Sequence, residues 1–312
     1  MARCAGRREN GRDGEVKERF FLFGAGYSAL AFARRLEGRP VAGTTRTADR
    51  LAAIEAANAE PLLFDGATLS KAIRERLAET THVVVSTAPS DSGDPVLAAA
   101  DETIRTAMPA LRWIGYLSTV GVYGDHGGAW VDEDSECRPV SARSRQRRSA
   151  EEAWQALAAE KGVPVAVLRL SGIYGPGRNA LVNLADGTAR RLVKPGQVFN
   201  RIHVDDIAGT LRHLSAKDLG GVFNVTDDEP APPQDVVLFA ARLMGLPAPP
   251  EIPFETAQLS PMARSFYEEN KRVANRRIKA TGYAFRHPDY RSGLTAMWRS
   301  GTWRGAGALG SG

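Results

Sequence analysis

The chain is poor in the residues that cross-link or metal-staple a fold: its 312 residues include two cysteines, Cys4 and Cys137, and five histidines. Two thiols so far apart exclude a disulfide framework and a cysteine zinc site, and they point to a reducing compartment, with the cytoplasm as the expected location. No uninterrupted apolar run reaches the roughly 18 residues of a membrane-spanning helix, so no membrane partner is expected. Residues 1–18 mix charges of both signs and lack the apolar segment of a secretory signal, so they read as a disordered tail. The glycine-rich end, residues 301–312, reads as a second, flexible tail. Acidic residues are missing from one stretch: RPVSARSRQRRSAEEAW, residues 138–154, holds Arg138, Arg143, Arg145, Arg147 and Arg148 with no acid before Glu151. Those five arginines equal the whole formal net charge of +5. The rest of the chain is therefore close to neutral, without the basic face and interleaved aromatics of a nucleic-acid binder.

What is present is a globular composition, 43% hydrophobic and 25% charged, enough for one large domain or two intimate ones. Short apolar runs at 19–23, 40–44, 61–64, 82–87, 112–118 and 163–170 alternate with helical patterns such as Leu30, Ala33, Arg34 and Leu36. Alternation of this kind predicts an α/β fold, a doubly wound parallel Rossmann sheet. After residue 175 prolines break the rhythm, and one further strand, 221–225, returns to the sheet. The expected division is a dinucleotide-binding domain over 19–175 plus 201–228, and a smaller, irregular substrate lobe over 176–200 plus 229–300.

The first strand runs into FGAGYSALAFARRL, which sets Gly24, Gly26 and Ala29 in a glycine pattern between strand and helix. Gly24 permits the tight turn, Gly26 lets a pyrophosphate approach the backbone, and Ala29 takes the place of the third glycine. Tyr27 and Ser28 complete the loop. At the end of the second strand, where a site for NAD has an acidic residue, the chain reads Gly43-Thr44-Thr45-Arg46. A guanidinium donates and cannot accept, so Thr45 and Arg46 suit a 2′-phosphate, and NADP is the expected cofactor ahead of NAD. Asp65, and Ser86, Thr87 and Ala88 before Pro89, fall where adenine and nicotinamide-side contacts lie.

Three later segments, YLSTVGVYGDHGGAWVDEDS, LRLSGIYGPGRN and NRIHVDDIAG, resemble in order the Ser/Thr strand, the sixth strand and the HVDD segment of extended short-chain dehydrogenases/reductases, the NAD-dependent epimerase/dehydratase group. FNVTDDEP and NKRVANRRIK further resemble an atypical bacterial branch of it. The resemblance implies a Rossmann cofactor domain with a small-molecule substrate in the cleft beneath the smaller lobe, and homodimers. It places Thr119, with Ser118 beside it, at the catalytic Ser/Thr position. Typical members open the next helix with a Tyr-x-x-x-Lys pair; counting back from Glu151 puts Arg147 at the lysine position and Arg143 at the tyrosine position.

Arginine stays protonated and cannot serve as a general base near neutral pH, so the usual proton relay is replaced. Arg143 is expected to face the cleft and clamp an anion, while Arg147 has Glu151 at i+4 as a surface partner. Tyr123 and His126 are the remaining candidates for the proton donor. Arg178, Asn200 and Arg201 are candidate substrate contacts. No metal is expected at His203-Val204-Asp205-Asp206, because adjacent side chains do not converge on one ion. Two readings follow: an NADP-dependent oxidoreductase or epimerase-like enzyme with an altered proton donor, or a cofactor-binding sensor or scaffold that has lost turnover.

Overall fold

Residues 17–305 are described in a computed structural model; Cys4, most of the N-terminal tail and residues 306–312 lie outside that range. The tetrapeptide FFLF forms β1 (Phe20–Phe23) with all four side chains buried. A parallel strand covered on both faces has no wet side, so its sequence need not alternate. The chain continues through α1 (Tyr27–Ala33), β2 (Val41–Thr45), α2 (Leu51–Glu55), β3 (Glu60–Leu63), α3 (Lys71–Glu79), β4 (His82–Val85), α4 (Pro95–Thr106) and β5 (Trp113–Thr119). A short β6 (Trp130–Val131) precedes the long α5 (Ala142–Lys161), which leads into β7 (Val165–Leu170).

Then come β8 (Gly172–Tyr174), α6 (Ala180–Ala185), β9 (Arg191–Val193), β10 (Arg201–His203), α7 (Val204–Ser215) and β11 (Gly221–Val225). The last elements are α8 (Pro233–Met244), β12 (Glu251–Pro253), α9 (Pro261–Ser265), β13 (Arg272–Val273), α10 (Arg276–Ala280) and α11 (Tyr290–Ser300). No helix among the described residues is long and apolar enough to cross a membrane.

Seven strands make one sheet in the order β11-β7-β5-β4-β1-β2-β3, and every pairing in it is parallel. The fold is the expected doubly wound Rossmann-like sheet. Its direction of winding reverses between β1 and β4, and the crevice outside the carboxyl ends of those strands is where such sheets take ligands. β4 stops two residues short of the expected end, because Ser86 and Thr87 peel away into the loop that faces this crevice. One layer of the core packs α1 and α7 on the sheet through Phe32, Leu211, Leu214 and Trp113. The other packs α3, α4 and α5 through Ile73, Leu77, Val96, Ile104, Trp154 and Leu157.

Around the sheet lie three two-stranded parallel pairs, β10 with β8, β12 with β9 and β13 with β6. β6 leaves the Rossmann half to pair with a strand from near the C-terminus, so the two parts of the molecule are stitched along one wall of the cleft. Some residues expected in the tails make specific contacts. Glu18 is bound by Arg39 and by Arg212, the latter at 3.0 Å. Residues 301–305 form a 3-10 turn, Thr302–Arg304, whose Trp303 carbonyl accepts from the Gly177 amide and from Asn179 Nδ2, each at 2.8 Å.

One buried ion pair ties three elements together. Glu151 of α5 is fully buried and accepts from Arg169 of β7 through Nε at 3.1 Å and Nη2 at 2.8 Å, and from Ser118 Oγ of β5 at 2.5 Å. Arg169 in turn sits 4.9 Å from the centroid of the Tyr123 ring. Removing one partner of such a pair leaves an uncompensated buried charge. Glu151→Ala is therefore expected to lower the unfolding free energy by about 3–5 kcal/mol, whereas Glu152→Ala, on the exposed face, changes it by less than about 1 kcal/mol; urea denaturation of the two variants checks this.

Candidate active site

The glycine loop between β1 and α1 is shaped by contact with the end of β4. Gly24 has φ +81° and donates its amide to Thr44 Oγ1 at 2.9 Å; a Cβ there would meet Thr87 Cγ2 at 2.9 Å and Thr87 N at 3.1 Å. Only glycine fits that turn. Gly26 differs: a Cβ at that position meets no protein atom nearer than the Gly24 carbonyl oxygen at 4.0 Å. The space beside it is left free, as a pyrophosphate requires. Ser28 and Ala29 are buried against the sheet, and Ala29 is small enough to join the core there. The Tyr27 hydroxyl donates to the Pro176 carbonyl at 3.0 Å, bracing the loop against the turn after β8; burial pushes its pKa up to about 12, with Arg178 pulling the other way.

Around this loop several polar groups lack protein partners. Thr87 Oγ1 is buried without a hydrogen bond. Arg46, just past β2, is exposed and has no ion-pair or hydrogen-bond partner among the described residues. Thr45 Oγ1 accepts weakly from Thr47 N at 3.5 Å. Ser86 is half-buried, its amide donating to Phe23 O at 2.8 Å, and Ala88 is exposed. Asp65 uses Oδ1 to accept from the Ala67 and Thr68 amides at 2.8 and 3.0 Å, which hold its pKa below the ordinary carboxylate value and leave Oδ2 outward. These residues fit a dinucleotide: free backbone space at Gly26, an orphaned hydroxyl at Thr87 and an uncommitted guanidinium at Arg46.

At the start of α5 the helical phase decides which arginine looks where. Ser144, Arg147, Ala150, Glu151, Trp154, Leu157 and Ala158 are buried, and at about 100° per residue they share one arc. Arg143 lies within the same arc and is exposed, without a partner among the described residues. It stands one turn before Arg147, at the exposed start of the helix. Arg145 lies on the opposite side and donates to the Val140 carbonyl at 2.7 Å. Arg148 pairs with Glu151 and Glu152 at 3.1 and 3.0 Å.

Arg147 does not form the i+4 pair with Glu151 expected from spacing. It is 8% exposed, and its Nη1 donates to the carbonyls of Thr87 (3.0 Å) and Leu117 (2.8 Å) and to Tyr116 Oη (3.2 Å). The guanidinium thus ties the ends of β4 and β5, while Glu151, one turn on, faces β7.

Several expected site residues turn out to be occupied elsewhere. Successive residues of a strand point to opposite faces, so Ser118 serves Glu151 while Thr119 stays at the cleft, accepting from the Gly121 amide at 3.1 Å with its own O–H free to donate. Tyr123 is fully buried and donates to Asn224 Oδ1 at 2.7 Å; burial pushes its pKa up to about 12. It is a packing residue, not a proton donor. His126 Nε2 lies 3.1 Å from the Tyr123 carbonyl; a carbonyl only accepts, so in the neutral ring Nε2 holds the proton and Nδ1 has none to give.

Asn200 is buried and holds the β13 segment, donating to Lys271 O at 3.0 Å and accepting from Val273 N at 2.8 Å. Arg201 Nη1 donates to Phe199 O and Ala231 O at 2.9 and 3.0 Å. Asn200 is thereby committed on both sides of its amide, and Arg201 through Nη1. Arg178 is exposed beside the glycine loop rather than across the cleft.

Sequence reading overlooked Ser144, although Ser141-x-x-Ser144 is a recognisable cap. Ser144 N donates to Ser141 Oγ at 3.1 Å, Ser141 Oγ donates to Ser144 Oγ at 2.9 Å, and a Cβ at Gly121 would meet Ser144 Oγ at 2.9 Å and Thr119 Oγ1 at 3.4 Å.

The HVDD segment does converge, with help from a distant residue: His203, Asp205 and His287 bring potential ligand atoms within 4.8 Å of one another. His203 Nδ1 already accepts from the Asp205 amide at 3.1 Å, and Arg35 and Arg286 stand 3.9 Å from the Asp205 carboxylate. The cluster is built as a helix cap and an ion pair. Asp206 is fully buried and accepts from the Arg286 and His287 amides at 2.6 and 2.9 Å, fastening the C-terminal segment to α7.

Two outcomes follow from this geometry. Gly26→Val is expected to abolish dinucleotide binding with the melting temperature of the free protein unchanged, since the side chain would fill only the free space; thermal shift with and without cofactor reads both. The Asp227 carboxyl has Oδ2 buried without a partner, and burial pushes its pKa up to about 8 from 3.8 against the pull of Arg201. The folded protein then keeps a proton that the unfolded chain has released, so stability falls as pH rises from about 4 to about 8 and levels off above. Asp227→Asn is expected to flatten that slope in denaturation curves collected across the same range.

The sequence profile of the NAD dependent epimerase/dehydratase family matches residues 24–226. A solved structure from Silicibacter pomeroyi, described as a functionally unknown conserved protein, is 48% identical, with 91% of this chain and 99% of that one covered and a TM-score of 0.83. Human epimerase family protein SDR39U1, solved with NADPH, shares the fold at 20% identity and a TM-score of 0.67, over 90% of this chain and 99% of that one. A Streptomyces protein named 3-diazoavenalumate denitrifying reductase is 32% identical over 142 residues, 41% of this chain and 45% of that one. The chain spans about half the length of the curated relatives it matches. With the profile covering most of the sheet and its loops, the chain belongs to the NAD-dependent epimerase/dehydratase family, as an extended short-chain dehydrogenase/reductase-like protein.

Proposed function

We propose that the protein is an NADPH-dependent oxidoreductase acting on a small, anionic or anion-forming substrate. The cofactor lies along Gly24, Gly26, Tyr27, Ser28 and Ala29, with Thr45 and Arg46 at the 2′-phosphate, Asp65 toward the adenine, and Ser86, Thr87 and Ala88 beside the nicotinamide half. The bound dinucleotide supplies a hydride; Thr119 orients the acceptor oxygen, and Arg143 and Arg147 provide fixed positive charge. The carrying observation is that arginines replace the Tyr and Lys of the family. Epimerisation and dehydration begin by removing a proton from a substrate hydroxyl, for which an always-protonated guanidinium is unsuited, so net reduction is favoured over those chemistries. The name of the Streptomyces relative, a reductase, supports the same reading. We place the protein in the cytoplasm, in keeping with its two cysteines.

The test is calorimetric. One charge-assisted contact of about 1.5–3 kcal/mol makes NADPH bind at least about tenfold more tightly than NADH, and Arg46→Ala brings the two affinities together. Equal affinities in the unaltered protein would remove the NADP assignment. Tight NADPH binding without turnover over a carbonyl panel would favour a cofactor sensor.

A further inference from the structure

We propose that the cleft at the start of α5 is an oxyanion site without a general acid, and that its substrates are conjugated carbonyl compounds of the quinone or enone class, held as phenolate-like or enolate-like anions. This deepens the oxidoreductase reading and rests on it.

The argument starts from what each polar group there can give. Thr119 Oγ1 and Ser144 Oγ each accept one hydrogen bond, from Gly121 N and from Ser141 Oγ, which leaves both O–H groups free to donate. Both oxygens lie beside Gly121, 3.4 and 2.9 Å from the position a Cβ would occupy, so the absence of a side chain there lets them stand close together. Two guanidiniums share one arc of α5: Arg147, anchored on the Thr87 and Leu117 carbonyls, and Arg143, exposed and without a partner among the described residues. Hydroxyl donors and permanent cations stabilise a negative oxygen strongly where water is scarce.

The same groups protonate it poorly. A serine or threonine hydroxyl is a very weak acid, and arginine keeps its proton. Other polar groups of this region are engaged: the Tyr123 hydroxyl donates to Asn224, Glu151 pairs with Arg169 and Ser118, and His126 Nε2 faces a carbonyl. The Tyr116 oxygen accepts from Arg147 in the sheet interior, and burial pushes that phenol up to about 12.

Reduction of a simple ketone in this cleft leaves an alkoxide, whose conjugate acid is about as weak as water, near 15.7, and which needs a proton on the spot. A quinone or enone spreads the charge instead. Its product is a phenolate-like anion with a conjugate acid nearer 10, some six pKa units less demanding. In the balanced step a carbon–hydrogen bond forms at the carbon conjugated with the carbonyl, the reduced nicotinamide is oxidised as the acceptor gains two electrons, the carbon–carbon π pair shifts to place the charge on the carbonyl oxygen, and that oxygen takes a proton from water as the product leaves.

The direct test needs no turnover. 4-Nitrophenol, whose neutral and ionised forms differ in colour, is titrated into the protein saturated with NADP+. The expected result is that the bound probe ionises at least one pH unit below the free probe, equivalent to at least tenfold tighter binding of the phenolate. Arg143→Ala and Ser144→Ala are each expected to shrink that shift; Arg145→Ala, on the outward face, leaves it unchanged. Absence of binding, or a bound probe ionising at or above its free value, overturns the inference. A second arm compares reduction of 1,4-naphthoquinone and of its saturated analogue α-tetralone by NADPH, with His126→Gln as the control for an overlooked acid. The quinone is expected to react at least a hundredfold faster, with no loss in the His126 variant. Equal rates, or loss of the quinone rate with His126, overturn the proposal. NADP+ binding is followed separately, so its failure marks the cofactor assignment as wrong while a failed phenol titration marks only the anion site.

Discussion

The Glu151–Arg169 pair governs the rest of the site because it fixes the rotation of α5. Glu151 is taken up by β7 through Arg169 and by β5 through Ser118, so the helix cannot turn about its axis without desolvated charges losing each other. With that phase set, Arg147 is carried under the ends of β4 and β5, where it reaches the Thr87 and Leu117 carbonyls. A pair of this kind adds little net stability over an apolar substitute, while loss of one partner is costly.

The parts of the molecule that follow local rules were readable in advance. β1 and the glycine loop are legible because a strand buried on both faces and a positive-φ turn each demand particular residues at adjacent positions, and Phe20–Phe23, Gly24 and Gly26 supply them. The alternation of the remaining strands carried the sheet in the same way. The partners of long polar side chains were not readable, because they are chosen across the fold. Glu151 has an arginine four residues before it, yet binds one eighteen residues later on another strand. Asn200 and one nitrogen of Arg201 bind backbone groups of residues 199, 231, 271 and 273. Ser118 follows a local rule too, since strand alternation turns it to the face opposite Thr119, toward Glu151.

The exchange of a tyrosine and a lysine for two arginines reorganises the cleft rather than emptying it. A lysine at the inner position would present three donors on a flexible stem. The planar Arg147 fork instead locks onto two main-chain carbonyls and an aromatic hydroxyl, and becomes part of the wall.

The pairing of β6 with β13 has a consequence for how the protein is made. The cleft wall at residues 124–131 receives its cover, Asn270 to Val273, from a segment some 140 residues later in the chain, and β7 gains its outer neighbour only with Gly221–Val225. On a ribosome adding about 5–20 residues per second, the nascent sheet presents β7 as a bare edge for several seconds after it emerges, and the wall stays uncovered longer still. Bare edges recruit other strands. The sheet is therefore complete only once Gly221–Val225 has followed β7 out of the ribosome, and that spacing in the chain sets how long the edge stays open to a wrong partner.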